Sequence, residues 1–578
     1  MSTESESPED TSRVAIGLSF GNANSSISYP TPDGADVIAN EEGDRQIPSI
    51  LSYTSGEEFH GTQAKSQIVR NPTNTIAYFR DFLGKKFSEI DVTNCHASAH
   101  PVELDGTVGF KVQEGETPED GEEGEKSSLT VSEVTIRHLR RLKDSASDYL
   151  GKKVTAAVIT VPSDFSSAQK SALAAAAQEA GLEVLQFIPE PIAALLAYDA
   201  KQASTETSSS SPKDKIVVVA DLGATRSDIA VISSRGGIYT TLATAHDYSL
   251  GGTQLDGVLI EYAAKEFLKK YKYTTDPRTT EKSLAKLTLE AEAVKKALSI
   301  GQAAAFSIES LVDGMDYGLT VNRTRYELIA NKIFASITRF IDSAVAKANL
   351  DPLDVDTILL SGGTSHTPKI ASNLQSHYPE STLIVAPSTT PSALNPSELA
   401  ARGAAIQASL VQSFEKSDID DNTEAVVTVT PHLQRAIGLA TGKDGETFTV
   451  VIDAQTPVPV RRTVQIPVKA GGDVLIRLAE GEREIKVSKA VTNGTSAKDA
   501  DDSDEDEDDD DEPEETREKV WKTGKVLAEA GIRGVKKGGK VEVQVNVGAD
   551  LEVTLVCREV GGKGGVRGTV EKGQNGSA

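Results

Sequence analysis

The sequence predicts an α/β domain of two lobes, each with its own sheet, followed by a separate antiparallel β-domain. Two segments, Val14–Tyr29 and Ile216–Ile232, each have the pattern of a strand, a Gly-containing turn and a second strand. Helical and extended patterns alternate as far as about Leu410, whereas strand signals dominate from Val426 onward. The two hairpins could face one nucleotide, because such turns can point N–H groups at phosphate. An ordinary structural turn is the alternative at each.

Composition limits the classes of function. The chain has 578 residues and a formal net charge of −26, which argues against a duplex-binding surface across the whole molecule. Two cysteines, Cys95 and Cys557, stand far apart and fit a reducing cytosol. We find no signal peptide and no apolar run long enough to span a bilayer. Cys95, His96 and His100 could be metal ligands, but no second cluster completes a site, so surface residues without a metal are the simpler interpretation.

Composition along the chain also predicts the domain boundaries. Residues 1–12 are polar and acidic and are predicted to be disordered, and the α/β domain is assigned to 13–412. A polar linker at 413–425 leads to the β-domain at 426–562, and a disordered tail at 563–578 follows. An acidic insertion at 499–518, with fifteen acidic residues and one basic residue, interrupts the β-domain. We interpret this insertion as a solubilising loop.

The first lobe contains short strands after its hairpin, then helices and further strands. Gly61–Gly84 is predicted to form a helix, a turn at Asn71-Pro72 and a second helix, and Glu114–Lys126 is predicted to be a solvated acidic loop. A capping-box pattern predicts that a helix begins at Thr130. The remaining predicted elements are strands at Val37–Asn40, Ile47–Tyr53, Val154–Val161 and Val184–Ile188, a helix at Gln169–Ala180 and a helix beginning at Pro191.

The second lobe and the β-domain follow a polar connector at Ser204–Pro212. Helices are predicted around Leu255–Tyr271, Glu281–Ser299 and Arg325–Leu350, and the strand Thr357–Leu360 enters a Gly-Gly turn. In the β-domain, strands are predicted at Val426–Pro431, Phe448–Ile452, Val458–Val468, Val474–Gly481, Lys540–Val547 and Leu551–Glu559.

A series of motifs resembles the DnaK-type, seventy-kilodalton heat-shock chaperone family. The motifs occur in the family's order and extend over roughly Val14 to Arg558; they are the first strand–turn unit, AKSQIVRNPTNT, VITVP, EPIAALLAYD, VVVADLG, LGGTQLD, LLSGGTSHTPKI and GAAIQASL. The resemblance implies an actin-like two-lobed ATPase domain with ATP in its cleft, followed by a β-sandwich peptide-binding domain. The β-domain is shortened relative to the family, and the chain lacks the family's long helical lid.

Within the family, the chain is most similar to the Ssz-type members, which pair with the J-domain protein zuotin in the ribosome-associated complex. The short β-domain, the altered first turn and phrases such as FRDFLG and LATAHDYSLGG indicate this subgroup. The resemblance implies a stable heterodimer with a zuotin-like partner. Through that partner it implies a place on cytoplasmic ribosomes, with nascent chains and a second heat-shock-seventy chaperone as further partners, and no membrane or direct DNA binding.

Departures from the family pattern concentrate at the phosphate end of the site. Ser19 stands where the family has an aspartate that helps to order hydrated magnesium, and Gly21-Asn22-Ala23 lacks the family's two threonines. In the second turn, Ala224 and Thr225 replace glycines where the backbone must approach phosphate closely. Arg226 replaces a threonine, and could either bridge phosphate in a bidentate manner or point away to solvent or an acidic neighbour. Both orientations remain open at this point.

Other site positions match the family. The resemblance assigns Lys65 to the terminal phosphate, and Glu190 and Asp221 to cation organisation. It assigns a polar helix face to adenosine and a Gly-Gly turn to the position under the base, where His366 replaces an arginine that stacks on adenine. The remaining matched positions are Gly223, Gly251, Gly252, Glu292, Lys295, Lys296, Ser299, Gly362, Gly363 and Thr364.

The sequence therefore predicts ATP binding with weak or absent magnesium, no other metal, and little or no hydrolysis, because phosphoryl transfer depends on positioning and charge stabilisation. We expect no catalytic residue, and a scaffold rather than an enzyme. A conventional ATP-hydrolysing cytosolic peptide chaperone is the alternative. A small-molecule kinase on the same fold is disfavoured by the β-domain and by the motifs outside the cleft.

Overall fold

The computed structural model describes residues 13–32, 34–90, 98–115, 126–205, 214–235, 238–272, 274–415, 417–419, 433–441, 447–489, 515–562 and 565–570. The chain divides into two compact units. The first comprises Met1–Ser210, Ile216–Ile232 and Tyr239–Val427, and the second comprises Ser211–Lys215, Ser233–Ile238 and Thr428–Ala578.

In its described residues up to Thr205, the first lobe of the first unit holds twelve strands and four helices. The strands are β1 (Ala15–Phe20), β2 (Asn24–Thr31), β3 (Gly34–Ile38), β4 (Ile47–Pro48), β5 (Ile50–Thr54), β6 (Glu57–His60), β7 (Thr75–Ala77), β8 (Val102–Leu104), β9 (Thr107–Val112), β10 (Ser127–Thr130), β11 (Ala156–Val161) and β12 (Glu183–Pro189). The helices are α1 (Gly61–Gln67), α2 (Val131–Leu150), α3 (Ser167–Glu179) and α4 (Glu190–Thr205).

The main sheet of this lobe has the order β12-β11-β1-β2-β3, with β4 paired to β2. Strands β1, β11 and β12 run parallel, so their carboxyl ends lie at one edge of the sheet. The β1–β2 turn, the loop after Val161 and the start of α4 at Glu190 all follow these ends. The sheet topology therefore gathers three separate stretches of sequence on one side of the cleft.

The predicted capping box at Thr130 is confirmed, because the Glu133 backbone N–H donates to Thr130 Oγ1 and the Thr130 N–H donates to Glu133 Oε2. The predicted second helix within Gly61–Gly84 is wrong. Thr75 and Ile76 instead pair with Ser52 and Leu51 in β5, and the hydroxyls of Ser52 and Thr75 lie 2.8 Å apart. β-branched residues that can complete a sheet edge outweigh the helical pattern here.

Among the residues that the structure describes, the second lobe adds seven strands and five helices. The strands are β13 (Lys215–Leu222), β14 (Ser227–Arg235), β15 (Ile238–Asp247), β16 (Ala303–Val312), β17 (Met315–Asn322), β18 (Thr357–Ser361) and β19 (Leu383–Val385). The helices are α5 (Gly252–Lys270), α6 (Glu281–Ile300), α7 (Arg323–Ile329), α8 (Asn331–Lys347) and α9 (Pro368–His377). The next helix, α10 (Leu399–Val411), returns to the first lobe, where it packs against α4 and β1. The helix predicted at Arg325–Leu350 is thus two helices, which meet at Ala330, where ψ is 3°.

The sheet of the second lobe has the order β15-β14-β13-β18-β19. Strands β13 and β18 run parallel with Asp221 opposite Ser361, so the turns that follow both strands lie side by side. Helices α4 and α10 pack against each other at glycine: a Cβ on Gly403 would lie 1.8 Å from the Ala193 carbonyl oxygen. This close approach sets the spacing of the two helices.

The described part of the second unit contains eight strands, namely β20 (Ala436–Thr441), β21 (Thr447–Ile452), β22 (Val460–Val468), β23 (Gly472–Lys489), β24 (Glu515–Val535), β25 (Gly539–Val547), β26 (Val553–Glu559) and β27 (Gly565–Val570). They form two four-stranded sheets, β21-β20-β23-β24 and β22-β25-β26-β27. Leu478 and Ile476 of one sheet share a buried core with Val543 and Leu555 of the other. This arrangement is an antiparallel β-sandwich.

Several predicted boundaries need correction. Glu515–Glu518, assigned to the acidic insertion, form the start of β24, which pairs with β23 from Lys489 onward. Residues 565–570, assigned to the tail, form β27 because the open edge of β26 offers them backbone partners. In the predicted polar linker, Ile419 is buried in an apolar cluster with Ala15 and Ala404.

Other predictions fall on residues outside the described ranges. These include Cys95 and His96, most of the acidic loop at 116–125, the Ser/Thr connector at 206–213, the strand at Val426–Pro431, and residues 490–514 of the acidic insertion. Across the helices that the structure describes, we found none with the length and apolar character needed to cross a membrane.

Candidate functional site

A cavity of about 660 Å³ lies in the first unit, between the carboxyl edges of its two sheets. Ser19 and every predicted site residue except Gly251 line it. Gly251 lies directly behind the second turn, because a Cβ there would be 2.6 Å from the Ala224 carbonyl oxygen. Residues separated by more than 340 positions in the sequence thus share one cavity.

The two glycine turns touch at the floor of the cavity. Asn22 Nδ2 in the first turn donates to Thr225 Oγ1 in the second at 3.1 Å, and the Gly223 N–H donates to the Arg226 carbonyl oxygen at 3.0 Å. Asn22 and Thr225 occupy positions where the sequence departs from the family. Their side chains therefore link the two lobes directly.

The Arg226 guanidinium is buried in an acidic pocket. Its Nε donates to Asp228 Oδ2 at 2.7 Å, one Nη donates to Asp164 Oδ1 at 2.6 Å, and the other donates to the Tyr248 hydroxyl at 2.9 Å. Burial alone would lower the pKa of Arg226, but the carboxylates outweigh it and raise that pKa. Of the two orientations left open by the sequence, the structure shows the one towards an acidic neighbour.

A second buried arginine, Arg80, was missed by sequence analysis. Its Nη1 donates to Glu190 Oε1 at 3.1 Å and to the Phe20 carbonyl oxygen at 3.2 Å, and its Nη2 lies 2.7 Å from Asp81 Oδ1. The sequence feature that could have identified it is its place as the basic residue of the FRDFLG motif, which ends in a glycine. Together, Arg80 and Arg226 place two permanent positive charges at the phosphate end of the cleft.

Lys65 is paired with a carboxylate of the predicted adenosine face. Its Nζ donates to Glu292 Oε2 at 2.7 Å, and Glu292 also accepts from Lys296 Nζ at 2.6 Å. Burial raises the pKa of Glu292, but the two lysines outweigh this and lower it to about 2. The ammonium of Lys65 therefore joins α1 to α6 at the predicted adenosine face, and the cation beside Glu190 is Arg80.

Burial disfavours the charged form of the carboxyl groups on the floor. Burial raises the pKa of Glu190 to about 8 against the opposing effect of Arg80, and burial together with Asp228 raises that of Asp221 to about 6. The pKa of Asp228 is also raised by burial. A protonated carboxyl group is a poor ligand for a hard cation.

The predicted adenosine face is ordered by ion pairs. Lys295 Nζ donates to Asp256 Oδ2 at 2.8 Å and to the Gly252 carbonyl oxygen at 2.9 Å. Asp256 lines the cavity, and its other oxygen is buried with no hydrogen-bond partner among the described residues. A buried orphan acceptor of this kind suits a hydroxyl donor from a bound ligand.

The turn under the predicted base position carries a positive-φ glycine and a fixed imidazole. Gly362 has φ of 80°, and a Cβ there would lie 2.3 Å from the Leu222 carbonyl oxygen, so only glycine fits. The His366 ring lies 3.1 Å from Asn395 Oδ1 and 3.2 Å from Ser397 Oγ. Burial lowers the pKa of His366, so the ring is neutral at pH 7.

These features fit a nucleoside triphosphate better than they fit a metal ion. The cavity volume lies within the range of about 300–1,000 Å³ typical of small-molecule sites. Across the part of the chain that the structure describes, no group of three His, Cys, Asp or Glu side chains is arranged to hold a metal. The site thus offers a shaped cavity, an orphan acceptor and buried cations.

Comparison with known proteins agrees with this geometry. The Hsp70 protein family model matches residues 15–493. The chain is 47% identical over 558 residues to the ribosome-associated complex subunit SSZ1 of Saccharomyces cerevisiae, covering 96% of this chain and 99% of that protein. It is 42% identical over 560 residues to a heat shock protein 70 homolog of Schizosaccharomyces pombe, covering 96% of each chain.

A more distant relative extends the same pattern. Heat shock 70 kDa protein 14 of Danio rerio is 32% identical over 464 residues, covering 78% of this chain and 86% of that protein. The family match spans most of the chain, including both glycine turns and the adenosine-face helix. The chain therefore belongs to the Hsp70 family, and its first unit is the family's two-lobed, actin-like nucleotide-binding domain.

Proposed function

We propose that this chain binds ATP in the cleft with little or no hydrolysis, and that it acts as a chaperone on cytoplasmic ribosomes together with a zuotin-like J-domain protein. The observation that carries the first half is the cleft floor, where Arg80 engages Glu190, one of the two carboxylates at the cation-organising positions, and Arg226 engages Asp228 beside them. The second half rests on the similarity to a relative named as a ribosome-associated complex subunit.

Binding of the nucleoside depends on residues that are already in place. Lys295 is fixed by Asp256, and His366 is fixed by Asn395 and Ser397, so neither side chain has to be ordered when the ligand enters. Pre-ordered side chains save about 0.5–1.5 kcal/mol each on binding. Affinity for adenosine therefore depends little on the phosphate contacts.

The floor fits a magnesium ion poorly. Glu190 and Asp221 are the carboxylates at the cation-organising positions, but Glu190 is already engaged by Arg80, and burial raises the pKa of both carboxyl groups. Ser19 offers a hydroxyl where a carboxylate would bring charge. We infer that the two arginines partly replace the metal in balancing phosphate charge, and that ATP binds with little help from magnesium.

The same arrangement disfavours hydrolysis. When present in related sites, magnesium neutralises the charge that develops on the transferred phosphoryl group. Here, the arginines are fixed in ion pairs with Asp164, Asp228 and Glu190, so they are not free to move towards a transferring phosphoryl group. The floor is therefore suited to a bound nucleotide and poorly suited to its transition state.

The second unit is proposed to serve as a docking module. Every regular element that the structure describes from Leu433 onward is a strand, so the proposal includes a β-sandwich that acts without a helical lid. A peptide-binding groove without a lid would release peptides quickly. This property favours a role in binding a stable protein partner over a role in binding transient peptide clients. We propose that this partner is the J-domain protein and that it connects the chain to the ribosome.

ATP binding is tested by thermal denaturation of purified chain with ATP, in magnesium and in EDTA. We expect ATP to raise the melting temperature in both, by mass action on the native state. Lys296→Ala should reduce this shift, because Lys296 is exposed on the adenosine face. Lys332→Ala, on α8 and away from the cavity, is the matched control.

Turnover is tested by single-turnover assays with labelled ATP. We expect a rate no faster than background, with or without a J-domain protein, and no rescue by Ser19→Asp because Arg226 and Ala23 remain. Hydrolysis that the J-domain protein stimulates would show a conventional chaperone and refute the proposal. Abolition of ATP binding by EDTA would refute its metal-independent part.

Partnership is tested on natively expressed protein by size-exclusion chromatography and by sedimentation with ribosomes. We expect a heterodimer that sediments with ribosomes only when the J-domain protein is present. A monomer at micromolar concentration, absent from the ribosomal fraction, would contradict the proposal.

A further inference from the structure

One end of the β-sandwich carries a compact group of basic side chains. The turn between β22 and β23 contributes Lys469, and the turn between β24 and β25 contributes Lys536 and Lys537, flanked by Arg533 and Lys540. All five are exposed. We call this group, Lys469, Arg533, Lys536, Lys537 and Lys540, the basic end.

The two turns are in direct contact. The Gly538 N–H donates to the Val468 carbonyl oxygen at 3.0 Å, and a Cβ on Gly471 would lie 2.8 Å from the Lys537 amide nitrogen. Because the backbones of the two turns touch, lysine side chains on them can approach within the Debye length, about 10 Å at 0.1 M salt, so that their potentials add. The turns otherwise contain glycine and alanine, so no bulky side chain separates the lysines from an approaching ligand.

Two carboxylates, Asp473 and Glu559, lie against the turns of the basic end and reduce its charge without cancelling it. Asp473 Oδ1 accepts from the Gly534 backbone N–H at 2.9 Å, and Glu559 Oε1 accepts from the Lys536 backbone N–H at 3.1 Å. Glu542 is paired with Arg558 at 2.6 Å. Within the described part of the chain, no ion pair is formed by the basic end. Five basic side chains against the two carboxylates of Asp473 and Glu559 leave a local excess of positive charge, although the chain as a whole has a net charge of −26.

The chain's own acidic insertion enters the fold at the opposite end of the same strand pair. It connects Lys489 of β23 to Glu515 of β24, and the basic end begins at the other terminus of β24, beyond Arg533. At about 3.3 Å per residue, the path along β24 between these points is about 60–65 Å. This separation argues for an external anion rather than self-neutralisation.

We propose that the basic end binds the phosphate backbone of RNA and adds a second contact to the ribosome. This inference rests on the proposed function, since ribosomal RNA is the polyanion that the chain would meet there. Clustered lysines attract phosphate groups by charge, so their contacts with a nucleic acid do not depend on its base sequence. A weak contact of this kind gains strength when a partner already holds the chain close, because the second binding event becomes intramolecular.

The test measures binding of the full chain to a fluorescein-labelled RNA hairpin by fluorescence anisotropy between 50 and 200 mM KCl. Four phosphate contacts predict a fall in affinity of roughly 50- to 150-fold over this range, from slopes of about 0.7 to 0.9 per contact. The test variant replaces four lysines of the basic end with glutamine: Lys469, Lys536, Lys537 and Lys540. The control variant makes the same change at four exposed lysines of the first unit: Lys152, Lys153, Lys272 and Lys332.

We expect the test variant to lose at least tenfold in affinity at 50 mM KCl and most of the salt dependence, and the control to change less than threefold. Unfolding followed by the single tryptophan, Trp521, should be the same in both. Equal loss in the two variants would overturn the proposal. Equal or tighter binding to poly-glutamate or to anionic phosphatidylserine vesicles would also overturn it, because the occupant would then be an acidic protein or a membrane.

A further variant lacking Asp499–Glu514 tests whether the chain's own acidic insertion, rather than RNA, occupies the basic end. RNA binding that appears only after this deletion would show that the acidic insertion covers the basic end, contrary to the proposal. On ribosomes, the test variant in complex with its partner should dissociate at lower salt than wild type. If wild type itself fails to sediment, the proposed function fails, while the hairpin measurement still decides the basic end.

Discussion

Replacement of Arg226 tests the account of the cleft floor most directly. Its guanidinium is 4% exposed and joins Asp164, which follows β11 in the first lobe, to Asp228, which lies in β14 of the second. Arg226→Met keeps similar volume and removes the charge. Asp228, only 3% exposed, then loses its partner while Asp164 keeps access to water.

The magnitude follows from the unpaired charge. Breaking a buried ion pair by removing one partner costs about 3–5 kcal/mol, whereas replacing both partners with groups of similar volume is often close to neutral. Arg226→Met should therefore destabilise the first unit by about 3–5 kcal/mol at pH 7. The double variant with Asp228→Asn should recover most of that loss, because no buried charge remains.

The sign of the pH dependence is fixed by Asp228. Burial raises its pKa and Arg226 lowers it, so loss of Arg226 raises the folded-state pKa further above the unfolded value. A group with a raised folded pKa loses stability as pH rises through that pKa. The penalty of Arg226→Met should therefore be smaller at pH 5 than at pH 8.

The assay is urea unfolding with two probes. All helices that the structure describes lie in the first unit, so far-ultraviolet circular dichroism follows that unit, and Trp521 fluorescence follows the second. Arg339→Ala, on the exposed face of α8, is the control, with an expected change below about 0.5 kcal/mol. A loss of less than about 1 kcal/mol for Arg226→Met, or an added loss from Asp228→Asn, would refute the reasoning.

Three further predictions follow from packing, ion pairing and the acidic insertion. Gly403→Ala should destabilise the first unit by about 1–3 kcal/mol or more, because its Cβ would overlap the Ala193 carbonyl oxygen. Gly257→Ala, which has open space around it in α5, should stabilise the unit by up to about 1 kcal/mol. Urea unfolding followed by circular dichroism compares the two variants. The pKa of Glu292 is lowered to about 2, so its ionised side chain stabilises the fold above about pH 4.5, and this stabilisation is lost as the pH falls. The free energy of unfolding of Glu292→Gln should therefore fall less steeply between pH 5 and pH 3 than that of wild type. Deletion of Asp499–Glu514 should change the stability of the second unit by less than about 1 kcal/mol by tryptophan fluorescence, and a loss above about 2 kcal/mol would show that the insertion is structural.

Some site features were predictable because they depend on the chain's immediate neighbourhood. A strand that ends in a glycine turn carries its own signal, and parallel strands bring such turns to one edge of a sheet. Asp221 and Gly362 were therefore identified from sequence, and the structure places them side by side. The capping box at Thr130 is local in the same sense.

Errors arose where the outcome depended on a distant partner. Thr75 and Ile76 have a pattern compatible with a helix, but the open edge of β5 makes them a strand. Gly565–Val570 carries too little apolar alternation to predict a strand, yet backbone pairing with β26 requires no particular side chains. The pattern of a few neighbouring residues cannot predict strand pairing of this kind, because the pairing depends on a strand that is distant in sequence.

The sequence by itself determined the family, the two-domain order, the turns that line the cleft and the altered residues at the phosphate end. The tertiary structure decided which partners the charged residues of the cleft contact, both at altered positions and at positions that match the family. Arg226 meets Asp164 across 62 positions of sequence, and Lys65 meets Glu292 across 227. A charged side chain is directed by whichever opposite charge the fold brings within about 4 Å, and only the folded chain determines which one that is.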